Sequence, residues 1–146
     1  MNKLKILFLC TGNSCRSQMA EGWTRHLKGE LINAYSAGTK PKGLSPDAAL
    51  AMKEVGVDIS SHKSQHIDEF LEIRLDWVVT VCSHADETCP TFHGNTRVIH
   101  KVFDDPPKLV AGLELDEERL APYRRVRDEI RAFIETLPEF LIKETK

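Results

Sequence analysis

Cysteine, arginine and aspartate stand in this chain where they could act together on an oxyanion. The first cluster is Cys10-Thr11-Gly12-Asn13-Ser14-Cys15-Arg16-Ser17. It follows an apolar run, Ile6-Leu7-Phe8-Leu9, and precedes an amphipathic one that begins near Gln18, the pattern of a strand, a tight loop and a helix. A loop so placed turns its backbone N–H groups inward at a helix N-terminus, where partial positive charge collects. Successive amides of this kind form a concave anion nest. Gly12 is expected to take a backbone conformation that side chains would block. Arg16 can add a planar fork of donors suited to a tetrahedral oxyanion. Cys10, at the mouth, is expected to feel the same positive field, which favours its thiolate. The Cys-x5-Arg spacing by itself recurs by chance. The strand before it, the helix after it, Gly12 and the trailing Ser17 set it apart from an ordinary turn around a half-buried cysteine.

Two further groups bear chemistry. Asp105-Pro106 offers a carboxyl at a rigid, proline-bounded turn, able to deliver a proton to a leaving oxygen. The plainer alternative is that Asp104 and Asp105 only shape a turn. Cys82 and Cys89 are the second group. Seven residues of helix span roughly 10 Å, whereas a disulfide needs Cα atoms about 4.4–6.8 Å apart. A helical segment would therefore have to unwind on oxidation, and Pro90 and the polar filler make that switch plausible. Cys82 alone could be a buried strand-end thiol; Cys89, in a polar stretch, fits that reading poorly. Cys82, His84, Cys89 and His93 also provide zinc-type ligands, but their spacing matches none of the usual paired patterns, so no metal is expected. His26, His62, His66 and His100 show no ligand spacing and read as surface or loop residues.

The elements that must position these groups follow from periodicity. Lys5 to Leu9 is nearly continuous apolar, as a central parallel strand should be. A helix is predicted from about Ser17 to Lys28, with Met19, Ala20, Trp23 and Leu27 on one side and Gly29 as a stop. Leu31 to Ala37 reads as a strand. Ser45 is a good N-cap with Pro46 at the first helical position; that helix carries Ala49, Leu50, Met52 and Val55 and ends at Gly56. A brief helix is expected over Ile67 to Ile73, and strands over Leu75 to Val81 and Thr96 to Phe103. Asp104-Asp105-Pro106-Pro107 breaks the last strand, and a loop leads to a helix from about Asp116 to Glu135. Pro122 must lie in its first turn, or the helix begins there. The expected fold class is α/β: a single domain over residues 1–146 with a four-stranded parallel sheet flanked by helices on both faces. In such sheets ligands sit beyond the carboxyl ends of the strands. Cys10, Cys82 and Asp105 each follow a strand end, so one crevice could collect all three.

Composition narrows the classes of function. A net charge of −2 points neither to nucleic acid nor to an acidic membrane surface. No apolar run approaches membrane-spanning length, and the short apolar start reads as a first strand rather than a signal peptide. A cytoplasmic location is expected. In a reducing cytosol four cysteines suggest catalysis, redox cycling or metal rather than permanent disulfides. A monomer is the default.

The Cys10–Ser17 loop, Ser36-Ala37-Gly38, Cys82 with Cys89, and Asp105-Pro106 together resemble the thioredoxin-coupled arsenate reductases, which share the fold of the low-molecular-weight protein tyrosine phosphatases. The likeness covers nearly the whole chain and keeps motif order and spacing. The phosphatases have the first loop and the Asp-Pro but lack the second cysteine pair. The resemblance implies that Cys10 attacks arsenate held by the loop amides and Arg16, with Thr11, Gly12, Asn13, Ser14, Cys15 and Ser17 around the oxyanion. It implies that Asp105 protonates the departing hydroxyl, that Cys82 attacks Cys10, and that Cys89 attacks Cys82. Arsenite leaves, and thioredoxin reduces the final Cys82–Cys89 disulfide. Ser17 would hydrogen-bond Cys10, Asn13 would brace the loop, and Cys15 has no required role. Some members of the family bind potassium through Asn13, Glu21, Ser36 and an acidic residue after Asp58-Ile59-Ser60-Ser61-His62. Here Gln65 stands where that carboxylate would be and Lys63 is a cation. No bound cofactor is therefore expected, with the Lys63 ammonium or the Gln65 amide bracing the loop. The alternatives are a phosphatase, sharing Cys10, Arg16 and Asp105, and a non-catalytic zinc or redox-sensing module.

Overall fold

A computed structural model describes residues 3–82, 92 and 95–144. Its strands are β1 (Leu4–Cys10), β2 (Ile32–Gly38), β3 (Trp77–Thr80) and β4 (Arg97–His100). All pair in parallel, in the order β2-β1-β3-β4. Ile6, Leu7, Phe8 and Leu9 are fully buried, so both faces of β1 are covered. That is why its sequence is continuously apolar rather than alternating. β4 closes one edge; it is only four residues long and largely exposed.

The helices are α1 (Arg16–Lys28), α2 (Pro46–Lys53), α3 (Pro106–Leu109), α4 (Asp116–Glu135) and α5 (Glu139–Glu144), with a 3-10 turn over Ile67–Phe70. α1 lies against β1, β2 and α4, and α2 against α4. Trp23, buried on α1, donates its indole N–H to the Arg127 carbonyl on α4 at 3.0 Å, and the Arg131 guanidinium lies 5.0 Å from its ring centroid. Ser45 caps α2 by accepting from the Ala48 N–H at 3.2 Å, with Pro46 opening the helix. Among the described residues no helix is long and apolar enough to cross a membrane.

Several local expectations change. Leu50 is 48% exposed, and α2 buries Ala48, Ala51 and Met52 instead, the set that falls on one helical face. The helix expected to reach Ile73 is a single 3-10 turn, closed by His66, which accepts from Asp68, and by Glu69, which accepts from His66. β3 and β4 are shorter than predicted. The segment after β4 still follows β3, with Lys101 donating to Thr80 and Phe103 donating to Val81. α3 occupies what was read as loop: two successive prolines suit a first helical turn, where missing N–H groups cost nothing. Pro122 lies well inside α4, six residues after its first. The carbonyl it leaves without a partner, four residues earlier, belongs to exposed Glu118, where water can serve it.

The sheet order places a topological switch between β1 and β3, because the chain moves from β1 to β2 on one side and returns to β3 on the other. The crevice beyond that switch is where a parallel sheet offers its ligand site, and Cys10 and Cys82 both border it.

Trp23→Ala should destabilise the protein by about 3–5 kcal/mol, because it opens the α1–α4 contact and removes the indole hydrogen bond to the Arg127 carbonyl. Urea denaturation monitored by circular dichroism reads this as a lowered midpoint.

Candidate active site

The Cys10–Ser17 loop is held from outside by its own carbonyls. Lys40 donates to the Thr11 oxygen at 2.8 Å, Lys42 to Gly12 at 3.0 Å and Ser45 to Ser14 at 2.8 Å, all through backbone N–H groups. The Asn13 oxygen accepts from the Ser64 hydroxyl at 2.6 Å. A trans peptide points its C=O and N–H in opposite directions. Carbonyls drawn outward at 11 to 14 therefore turn the N–H groups of residues 12 to 15 inward, and the anion nest is built by this clamp. Gly38 at the end of β2 lets the clamp close: a Cβ there would overlap the Thr11 carbonyl oxygen and come within 2.9 Å of the Asn13 nitrogen.

The residue with left-handed backbone is Asn13, at φ 46°, rather than Gly12. Asparagine tolerates this region because its side chain can bond locally. Gly12 serves another purpose. A Cβ there would meet the Lys42 stem at 2.7 Å, so its bare backbone makes room for that lysine.

Around the sulfur runs one directed chain of hydrogen bonds. The Gln65 backbone N–H donates to Asn13 Oδ1 at 2.8 Å, which fixes the amide so that Nδ2 donates to Ser17 Oγ, also at 2.8 Å. The Ser17 hydroxyl is then free to give its single proton to Cys10 Sγ, 2.8 Å away. The Asn13 N–H donates to the same sulfur at 3.2 Å. Burial pushes the Cys10 thiol above its ordinary value, and the Ser17 and Asn13 hydrogen bonds pull it back down. Position alone thus does not favour the thiolate as the sequence suggested. Desolvation opposes it, and the donors around the sulfur are what counter that cost. Cys15, also buried, is pushed up mainly by desolvation.

Arg16 opens α1, 13% exposed. Its Nη1 donates to the Phe103 carbonyl at 3.0 Å, and its Nη2 lies 3.6 Å from Asp105 Oδ1. Asp105 precedes α3 but does not cap it, so its carboxylate stays on the cleft side. Asp104 pairs on the surface with Arg125 at 3.0 Å. Cys82 is buried just past β3, with its sulfur 3.5 Å from the Thr11 hydroxyl, close enough to push the Cys10 thiol up.

One cleft of about 490 Å³ therefore gathers Cys10, Thr11, Gly12, Ser14, Cys15, Arg16, Cys82 and Asp105. Lys40, Lys42 and Lys108 line it too. Sequence reasoning missed all three lysines, since nothing in their spacing ties them to the loop. They add positive charge that draws an anion inward. Asn13 and Ser17 stand behind the nest as its support. Cys89 and the segment Ser83–Thr88, with His84 and His93, lie outside the described residues. Among the described residues no three His, Cys, Asp or Glu side chains group as metal ligands.

The bracing expected of Lys63 and Gln65 comes from their backbones: Gln65 through its N–H, and Lys63 through its carbonyl, which accepts from Gln18 Nε2 at 3.1 Å. His62 is not a plain loop residue. Its Nδ1 is 3.0 Å from Gln18 Oε1 and 3.6 Å from Glu21 Oε2. His66 caps the 3-10 turn, and His100 meets the Thr80 hydroxyl at 2.6 Å.

A buried cysteine at an amide nest, with an arginine at the following helix start and an aspartate 3.6 Å from that arginine, defines a class. The chain belongs to the low molecular weight phosphotyrosine protein phosphatase family, which matches residues 5–146. Within it, the chain is 50% identical over 139 residues to a protein of Halalkalibacterium halodurans named arsenate reductase, covering 95% of this chain and 98% of that one. It is also similar to a solved arsenate reductase in the oxidized state, at TM-score 0.70 and 29% identity over 91% of this chain and 95% of the other. A low molecular weight protein tyrosine phosphatase from T. tengcongensis matches at TM-score 0.66 and 29% identity, over 94% of this chain and 99% of that one.

Ser17→Ala should raise the Cys10 thiol further, since it removes a hydrogen bond that lowers it. Loss of one such bond to an ionised group is worth roughly one pH unit. Iodoacetamide alkylation of Cys10, followed by mass spectrometry, should be about tenfold slower at neutral pH, with its profile moved to higher pH.

Proposed function

We propose that this protein reduces arsenate to arsenite by a relay through Cys10, Cys82 and Cys89, with thioredoxin as the reductant. One observation carries the reading: a second thiol, Cys82, lines the same cleft as the Cys10 nucleophile, beside the Thr11 hydroxyl. Ester hydrolysis has no use for that sulfur, whereas a two-electron reduction needs it.

Arsenate enters the nest against the inward amides and the Arg16 guanidinium. The Cys10 thiolate attacks arsenic and forms an S–As bond, while Asp105 gives its proton to the departing hydroxyl, which leaves as water. The Cys82 thiolate then attacks Cys10 Sγ. The S–S bond forms, the S–As bond breaks, and its electron pair passes to arsenic, which leaves as arsenite. Cys89 attacks Cys82 and releases the Cys10 thiolate, so the disulfide becomes Cys82–Cys89. The thioredoxin dithiol reduces it and is itself oxidised. The two electrons accepted by arsenic thus come from thioredoxin.

Contacts around the loop support a reading without a potassium ion there. Glu21 Oε1 already accepts from the Ser36 hydroxyl at 2.7 Å, and Arg25 sits 3.1 Å from Oε2. Asn13 Oδ1 already takes protons from Gln65 and Gln18. We therefore propose catalysis with no monovalent cation at this position. Replacing sodium by potassium at equal ionic strength should change kcat/KM for arsenate by less than about twofold; a strong and specific rise with potassium would refute it.

The relay and a phosphatase separate on one substitution. In an assay with thioredoxin, its reductase and NADPH, Cys82→Ser should abolish arsenite production while hydrolysis of p-nitrophenyl phosphate persists. Sustained thioredoxin-dependent turnover by Cys82→Ser would sink the relay.

A further inference from the structure

Gln18 is fully buried on the first turn of α1, and all of its polar atoms are engaged. Its Nε2 reaches two acceptors of the same residue, the Asn13 carbonyl and Asn13 Oδ1, each at 3.2 Å, and also the Lys63 carbonyl at 3.1 Å. Its Oε1 faces His62 Nδ1 at 3.0 Å. Every partner of Nε2 is an acceptor, so the orientation of the amide is fixed by its surroundings.

We propose that Gln18 is a positioning residue for the nucleophile, acting through Asn13. A left-handed non-glycine residue persists only where its surroundings overdetermine it. Gln18 grips Asn13 at main chain and side chain with one NH2 group, and so fixes the angle between them. That angle aims Asn13 Nδ2 at Ser17, and Ser17 at Cys10. The Asn13 N–H donates to the Cys10 sulfur rather than being reserved for the oxyanion. Loosening Asn13 therefore degrades the nucleophile more than the anion nest. Neither Asn13 acceptor is orphaned when Gln18 is removed, because Ser64 and Gln65 still donate to them. At Asn13 what is lost is aim, not a hydrogen-bond partner; the Lys63 carbonyl and His62 Nδ1 do lose the bond to Gln18.

The inference rests on Cys10 being the nucleophile of the reaction proposed above, but its main readout needs no arsenate. Gln18→Leu should move the pH profile of Cys10 alkylation upward by about half a unit or more and slow alkylation at neutral pH several-fold. In the full thioredoxin-coupled assay, kcat should fall about tenfold while KM for arsenate stays within about threefold, because the reacting sulfur is displaced and most of the nest is not. Gln18→Glu keeps the shape and replaces the donor by an acceptor that faces the Asn13 oxygens, so it should move the alkylation profile the same way. Glutamate there can donate only when protonated. The alkylation rate of Gln18→Glu relative to Gln18→Leu should therefore rise on acidification. If the leucine variant does not fold, the glutamate variant is compared with wild type. Variants that lower the melting temperature but leave the Cys10 profile at its wild-type position would show a packing role only and overturn the proposal. The expected shift of the variants' profiles, with arsenite production absent in every protein, wild type included, would instead overturn the reductase reading and leave the role of Gln18 standing.

Discussion

The pocket depends on one peptide geometry: four carbonyls of the Cys10–Ser17 loop are pulled outward, so the N–H groups paired with them face in. The pull comes from segments far away in sequence. Lys40, Lys42 and Ser45 supply backbone donors from the connection after β2, and Ser64 supplies a hydroxyl from the connection before the 3-10 turn. An anion site made this way is preorganised, since the amides do not have to reorient when charge arrives. It also explains why a small residue ends β2. The connection must run so close to the loop that Gly38 has no room for a side chain.

Burial and hydrogen bonding work against each other at Cys10. The sulfur lies deep enough for desolvation to favour the neutral thiol, yet it is flanked by a hydroxyl whose proton is directed at it by Asn13. Placing the Cys10 sulfur behind protein rather than in open water lets the surrounding dipoles act in a medium of low polarity, where they are strongest. The rim of Arg16, Lys40, Lys42 and Lys108 adds positive charge at the same cleft. Arg16 is engaged by the Phe103 carbonyl and Asp105, which keeps the guanidinium and the carboxylate on the same side of the cleft.

Much of this was legible in the chain. β1 stands out because a strand buried on both faces must be apolar throughout, and α4 because its apolar residues repeat at helical steps over twenty positions. The Ser45-Pro46 start of α2 follows from capping chemistry alone. The loop was legible from Cys10, Arg16 and their setting between strand and helix. Its inner bracing was not. Gln18 looks like one more polar residue at the start of a helix, and its partners, Lys63 and His62, lie 45 and 44 residues away. Local pattern could not tell that Asn13 rather than Gly12 takes the left-handed turn, because both residues tolerate it. Pro122 was misplaced for a similar reason: local rules assume a helix interior shut off from water, and the affected turn of α4 is open to it.

The sheet ends on one side in β4, whose four residues include Arg97 and His100 and leave most of the strand in water. A strand at the border of a sheet is a template on which a stranger chain can add itself. This one is too brief to template a long ladder, and any arrival would have to strip hydration from a guanidinium that stacks 5.9 Å over Trp77. At this border, brevity and charge thus make β4 a poor template for sheet-to-sheet addition.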